Sequence, residues 1–323
     1  TFLGAWTGQY NEGDRNVFIG YRTGESHTTG SENVFIGNES GFNDTTGYDN
    51  TFVGTDAGFG NTNGNQNTCL GAGAGHWSDT GDRNIMIGVS TGVGNRDGHD
   101  NIFMGYRAGG SNNNSDDNIF IGSYSGYNSA GATGGDSDRN IFIGNLSGYS
   151  SSSGEKNIYF GYGAGYNNST GVANIFIGCQ AGYNELGSNK LYIENSASSS
   201  PLIYGDFSTN DIEINGNLCY TGTFGACSDK RYKENIEAIP NVLSKIKKVE
   251  GVYFNWRLDE FPDRSFTKKH QIGMIAQEVE KQFPELVNQD RYGYKTVDYA
   301  KFSAVLLQAV KEQQERIEYL EES

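Results

Sequence analysis

An apolar–aromatic–apolar triplet flanked by Asn and Gly recurs every seventeen residues through the first two thirds of the chain. Asn16-Val17-Phe18-Ile19-Gly20 sets the pattern, and Asn33, Asn50, Asn67, Asn84, Asn101 and Asn118 keep the step. After one longer interval the series resumes at Asn140, Asn157 and Asn174. Side chains alternate between faces along a strand, so in Asn174-Ile175-Phe176-Ile177-Gly178 both Ile point one way and Phe176 the other. Both faces are apolar, and a strand buried on both sides needs a layer on each. One coil supplies a layer from its own return stretch; neighbouring chains around an axis supply the other. A short fixed period means stacked rungs, each burying its apolar face only against its neighbours. The expected fold is therefore mainly β: a parallel β-solenoid rod of seventeen-residue rungs, trimeric. Eleven rungs ~4.8 Å apart would make it roughly 50 Å long.

Other positions of the cassette are equally constrained. A small residue recurs at Thr23, Ser40, Ala57, Ala74, Thr91, Ala108, Ser125, Ser147, Ala164 and Ala181, each followed by Gly. That pair suits a tight corner or a close backbone approach. The Asn column is expected to stack as a hydrogen-bonded ladder between rungs. Phe42, Phe59, Tyr127, Tyr149, Tyr166 and Tyr183 form an aromatic column, read chiefly as packing between rungs and secondarily as a glycan-binding face. Asp14, Asp49, Asp82, Asp100, Asp116, Asp117 and Asp138 sit at turns without the multi-oxygen spacing of a calcium repeat. The segment from Gly131 to Gly135 lengthens one rung by five residues and reads as an exposed loop.

The periodicity divides the chain into a rod (1–190), a β-structured neck (191–226) and a small C-terminal α/β domain (227–323). In the neck, Leu191-Tyr192-Ile193, Pro201 to Asp206 and Asp211 to Leu218 read as short strands with Asn-Gly turn chemistry. In the last domain, Pro240 suits a first helical position before Val242, Leu243, Ile246 and Val249. Val252 to Trp256 reads as a strand, Ile272 to Phe283 as part strand and part amphipathic helix. From Tyr299 the pattern is helical to the end. Phe302, Leu306, Ala309, Gln313 and Leu320, with Ile317 filling in, make a short coiled-coil seam.

Charge follows the same division. Residues 1–226 carry 8 Lys and Arg against 22 Asp and Glu, a net of −14, while residues 227–323 carry 16 against 17. An acidic rod argues against nucleic acid or an anionic membrane as partner, because neutralising phosphate needs clustered cations. Cys69, Cys179, Cys219 and Cys227 are scattered without metal or disulfide spacing, and His27, His76, His99 and His270 lie in unrelated contexts. No metal and no cofactor is expected. No run is long enough to span a membrane and no signal peptide is present. The chain opens on Thr1-Phe2-Leu3-Gly4, already inside a cassette, which is expected of the C-terminal part of something longer.

Candidate chemistry concentrates at Cys227-Ser228-Asp229-Lys230-Arg231-Tyr232-Lys233-Glu234-Asn235-Ile236. A Ser hydroxyl is a poor nucleophile until a base takes its proton, and a partly desolvated Lys can do so. Ser228 and Lys233, five apart, could meet across a turn or from different chains. This run, with Ile272 to Glu280, Pro284-Glu285-Leu286-Val287, Val297-Asp298-Tyr299 and a terminal helix, resembles the intramolecular chaperone auto-processing domain of endosialidase-type phage tailspikes and fibres. The cassettes are similar in style to the head repeats of trimeric adhesins. The resemblance implies a domain that trimerises, aligns the upstream fibre, and is released by self-cleavage at Ser228 with Lys233 as base. Asp229, Arg231 and Asn235 match the motif, holding the loop being the plain reading of Asp229 and Arg231. Attack by Ser228 on the preceding carbonyl closes a five-membered ring and favours the Cys227–Ser228 bond; attack from another chain leaves Ser228–Asp229 open.

The expected function is the distal part of a homotrimeric attachment fibre that binds a cell-surface receptor, a glycan, as part of a virion tail or phage-like particle. The alternatives are a depolymerase tailspike with glycan-cleaving residues in the rod or upstream, and a bacterial surface adhesin.

Overall fold

A computed structural model describes residues 1–129, 137–222, 225, 227–262, 264 and 266–323; the loop expected at Gly131 to Gly135 lies outside them. The chain divides into two compact units, Thr1–Asn217 and Leu218–Ser323.

The first unit is a β-solenoid. Its strands are β1 (Phe2–Leu3), β2 (Val17–Ile19), β3 (Val34–Ile36), β4 (Thr51–Val53), β5 (Thr68–Leu70), β6 (Ile85–Ile87), β7 (Ile102–Met104), β8 (Ile119–Ile121), β9 (Ile141–Ile143), β10 (Ile158–Phe160) and β11 (Ile175–Ile177). Each pairs in parallel with the next in strict register, Phe18 with Phe35 and Phe35 with Phe52. The sheet continues through β12 (Lys190–Ile193), then turns antiparallel through β13 (Ile203–Asp206) and β14 (Asp211–Ile214).

The central residue of each triplet points inward and is fully buried. Phe18, Phe35 and Phe52 stack with ring centroids 4.8 Å apart and planes 8° from parallel, which is the rung spacing itself. Cys69 and Met86 fill two rungs of this column, and burial pushes the Cys69 thiol up to about 12. The small residues at Thr23, Ser40, Ala57 and their equivalents line the opposite wall, fully buried. Where they carry a hydroxyl it donates to the next rung, as Thr23 Oγ1 does to the Gly37 carbonyl at 2.6 Å. The glycine after them is required twice over. Gly41 has φ +58°, and a Cβ there would lie 2.5 Å from the Phe35 ring.

The Asn column is buried and works as a ladder, mainly of side chain to main chain. The Oδ1 of Asn16, Asn33, Asn50 and Asn67 accepts the backbone N–H of the next Asn at 2.9 Å. Their Nδ2 groups donate across the coil to the carbonyls of Gly30, Gly47, Gly64 and Gly81 at 2.7–2.8 Å. A second, more exposed ladder runs along the turns. Asp82 accepts the Asn65 N–H, Asp116 the His99 N–H and Asp138 the Asp116 N–H, at 2.7–2.9 Å. Those turn aspartates serve as backbone acceptors. His27, also buried, sits 2.8 Å from Asp44 Oδ1 through Nδ1 and 2.9 Å from the Gly30 carbonyl through Nε2. The residue before each ladder Asn is left-handed although it is not Gly, as at Arg15, Glu32 and Arg83. Its side chain reaches the neighbouring rung, where Arg15 pairs with Glu32 and Arg83 with Asp100.

The second unit packs α1 (Val242–Ile246), β15 (Gly251–Phe254), β16 (Gln271–Met274), α2 (Ala276–Gln282), β17 (Val287–Gln289), β18 (Lys295–Val297) and α3 (Tyr299–Glu321) around Val242, Val279, Phe283, Leu286, Val305 and Ala309. Helix α1 starts at Val242 and not at Pro240, because Asn241 turns left-handed (φ 55°) and the cap comes from elsewhere in the fold. The Glu312 carboxylate on α3 accepts the Val242 and Leu243 N–H groups, each at 2.9 Å. The expected seam on α3 is divided. Phe302 and Ala309 pack into the unit's own core, whereas Leu306, Val310, Ile317 and Leu320 stay exposed. With Gln313 they keep four-three spacing on a face shifted from the expected one. No described helix is long and apolar enough to cross a membrane.

Two predictions follow from these contacts. Asn67→Ala removes the acceptor of the Asn84 N–H and the donor to the Gly81 carbonyl, both buried, and should cost roughly 3 kcal/mol. Hydrogen exchange at Asn84 should accelerate; unchanged protection there would show that the ladder contributes nothing. The two backbone donors hold the Glu312 carboxyl below the usual carboxylate range, ordinarily near 4.5. Stability from that contact is present above the unfolded value and is lost as pH falls through the folded one. Acid titration of the chain's helicity, which lies in the second unit, should lose part of its pH dependence in Glu312→Gln, and an identical profile would refute the cap.

Candidate functional site

The junction residues are brought together by a single turn of 3-10 helix over Lys230–Tyr232. Asp229 caps it: its Oδ1 accepts the Arg231 N–H at 2.9 Å, and its carboxylate holds the Arg231 guanidinium with a closest approach of 2.8 Å. The Tyr232 N–H closes on the Asp229 carbonyl and the Lys233 N–H on the Lys230 carbonyl, both at 3.1 Å. This reverses the chain enough for Lys233 Nζ to donate to Ser228 Oγ at 2.7 Å. Five residues of separation thus become one hydrogen bond. Asn235 then takes a left-handed conformation (φ 51°), which Asn tolerates better than most residues, and redirects the chain.

The Arg231 guanidinium keeps the Asp229 carboxyl below its ordinary range. The contacts between Asp229 and Arg231 are those of a clasp on the turn. Cys227, Ser228 and Lys233 are all exposed in the single chain. So are Tyr232 (79%) and Ile236 (63%), which stand on either side of Lys233 in the chain and were given no role in the reading from sequence. Their signal was an apolar residue on each side of the Lys in an otherwise charged run.

The remaining motif residues are architectural. Val279 and Leu286 are core, and β17 pairs with β18 through Val287 and Val297. Asp298 caps α3 by accepting the Lys301 N–H at 3.0 Å. The Tyr299 hydroxyl accepts the Met274 N–H at 3.0 Å and lies 2.7 Å from where a Cβ on Gly273 would be. Gly273 is small because Tyr299 needs the space.

Residues 228–288 match the family described as "Chaperone of endosialidase", a self-cleaving intramolecular chaperone domain. The match begins at Ser228 and includes the whole Ser228–Lys233 turn. No curated protein matches the chain. The family match and the solenoid together fit a tail-fibre protein with a C-terminal chaperone domain.

Because the Asp229 clasp shapes the turn, Asp229→Ala should slow any self-cleavage at this junction about tenfold, the effect of losing one charge-assisted hydrogen bond. Time courses on denaturing gels measure it. A rate equal to the parent's, with unchanged circular dichroism, would show that Ser228 and Lys233 meet without the clasp.

Proposed function

We propose that this chain is the distal part of a homotrimeric attachment fibre of a phage tail or phage-like particle. Its C-terminal domain trimerises and registers the rod, and is then released by autoproteolysis with Ser228 as nucleophile and Lys233 as base. The observation that carries this reading is the 2.7 Å contact between Lys233 Nζ and Ser228 Oγ at the start of the matched domain.

In the proposed step, Lys233 as free amine takes the Ser228 hydroxyl proton while Oγ attacks the Cys227 carbonyl carbon. The Cys227–Ser228 C–N bond breaks, the Ser228 nitrogen leaves as an amine carrying the proton, and an ester forms. Water then opens the ester to a Cys227 carboxylate and a free Ser228 hydroxyl. Lysine acts this way when water is kept from it. The dyad is exposed in one chain, so assembly is the event that would cover it, with Tyr232 and Ile236 as the apolar surround.

Trimerisation is supported by apolar surface that one chain leaves bare. The outward residues of the rod sheet include Phe160 (54% exposed), Ile85, Met104 and Ile177, and α3 adds the Leu306–Val310–Ile317–Leu320 stripe. Surface of this extent, continuous along a sheet, marks an interaction face. Association of copies would cover such a face in each unit.

Ser228→Ala and Lys233→Ala should each leave one full-length band, while the parent splits into residues 1–227 and 228–323. Mass spectrometry of the new termini identifies the bond. Cleavage of Ser228→Ala at the parental rate would remove the dyad from the reaction. Deleting residues 228–323 before expression should give aggregated or monomeric rod. A soluble, correctly folded trimer from that truncation, by light scattering and circular dichroism, would refute the chaperone role. The released rod should unfold slowly, because the domain that lowered its folding barrier is gone.

A further inference from the structure

The cassette repeats one tripeptide, Gly-Tyr-Arg, at two corners of the rod: Gly20-Tyr21-Arg22 and, five rungs on, Gly105-Tyr106-Arg107. Their surroundings differ in one respect. The Arg22 guanidinium lies 4.5 Å over the Phe42 ring and is neutralised by Glu25 at 2.5 Å and Glu39 at 3.0 Å. Around Arg107 the aromatic frame is kept and enlarged. The guanidinium faces the Tyr106 and Tyr124 rings at 5.4 and 6.0 Å, and Tyr127 packs edge-on against Tyr124 at 5.2 Å. Both carboxylates are gone. The position of Glu25 is Gly110, where a Cβ would lie 2.6 Å from the Tyr127 ring, and that of Glu39 is Tyr124.

Among the described residues, no carboxylate pairs with Arg107. This occurs on a rod (1–190) whose acids outnumber its cations 18 to 8. Arg107 is half-buried in an aromatic frame, with Tyr106 42% exposed beside it. A guanidinium so placed retains its affinity for a bidentate carboxylate, and the rings on either side reinforce it.

We propose that Arg107, with Tyr106 and Tyr124, binds the carboxylate of an acidic sugar unit in a surface polysaccharide, which takes the place that Glu25 and Glu39 fill at Arg22. The inference rests on the attachment reading and gives its ligand a chemical class. A saccharide fits better than an acidic peptide for a reason of charge spacing. The isolated cation on an acidic rod rewards one carboxylate and repels a dense run of them. A uronate-type unit sets its single charge in a neutral, hydroxylated frame that tyrosine hydroxyls and ring edges can meet.

The test is a glycan array of neutral and carboxylated oligosaccharides probed with the full chain and with Arg107→Gly. Glycine occupies the same rung position at Gly73 and Gly163, so this variant keeps a backbone the rod already uses. Carboxylated sugars should bind, Arg107→Gly should weaken them about tenfold or more, and chemical reduction of the sugar carboxyl should weaken the parent equally. Neutral sugars that bind both proteins alike would leave attachment standing and overturn this site. Binding to no sugar at all would overturn the glycan reading and this site with it. A poly-glutamate peptide that binds through Arg107 while no acidic sugar does would overturn the ligand class.

Discussion

The rod depends on a buried main-chain group finding an acceptor at a place where the sheet does not provide one. At each strand entrance the Asn backbone N–H faces inward, where water cannot reach it, and an unpaired buried donor costs about 1–3 kcal/mol. The previous rung's Asn side chain supplies the oxygen at about 2.9 Å, and its amide nitrogen satisfies a carbonyl on the far side of the coil. One side chain thus closes two backbone gaps. It also fixes register: a one-residue slip would move Phe35 out of the core and leave the Asn33 N–H unpaired. The 4.8 Å stacking of Phe18, Phe35 and Phe52 is available only because the ladder keeps every rung in phase.

An interior so constrained pushes variation to the corners. Inside, the same positions are Phe, Asn, a small residue and Gly at almost every rung, with Cys69, Met86 and Tyr159 as the substitutions in the aromatic column. Outside, equivalent corner positions hold Arg22, Glu39, Asp56, Gly73, Ser90, Arg107, Tyr124 and Leu146 with one shared left-handed backbone. The fold therefore repeats a backbone and leaves the chemistry at each corner free. The contrast between Arg22 and Arg107 is that freedom in a single pair.

What could be read from the sequence was whatever the period itself carried. The solenoid, the strand centres, the Asn ladder and the small-residue wall all follow from residues spaced seventeen apart. Conformations that no propensity favours were not legible. Arg15 or Glu32 in a left-handed turn runs against their preference, and the corner geometry accounts for it, since Ala173 takes the same conformation with no side chain to pair. The aromatic column was open to two readings from sequence. In the fold, Tyr149, Tyr166 and Tyr183 stack 4.9 Å apart, so their faces are covered by one another and only their edges reach solvent. Tertiary capping was equally hidden: Glu312 lies 70 residues from the Val242 N–H it accepts. Of the seam read on α3, Phe302 and Ala309 satisfy the spacing rule yet serve their own domain's core, which spacing alone could not reveal. At the junction, motif spacing pointed to Ser228 and Lys233, with Asp229 and Arg231 read as holding the loop; the atoms that meet in that clasp are a matter of the fold.

The exposure of that junction bears on the order of events in the proposed maturation. A chaperone that cut itself free before the rod had formed would forfeit its purpose, so the proposed cleavage would have to follow the proposed assembly. The single chain holds Ser228 and Lys233, the proposed nucleophile and base, in contact yet open to water. Taking the Ser228 proton requires a neutral amine, and excluding water is the physical route to one. Tyr232 and Ile236 on either side of Lys233 gain by the same exclusion. Burying those two side chains against neighbouring copies would stabilise the assembly and activate the dyad in one step, so the proposed cleavage would be timed by the interface and need no separate signal.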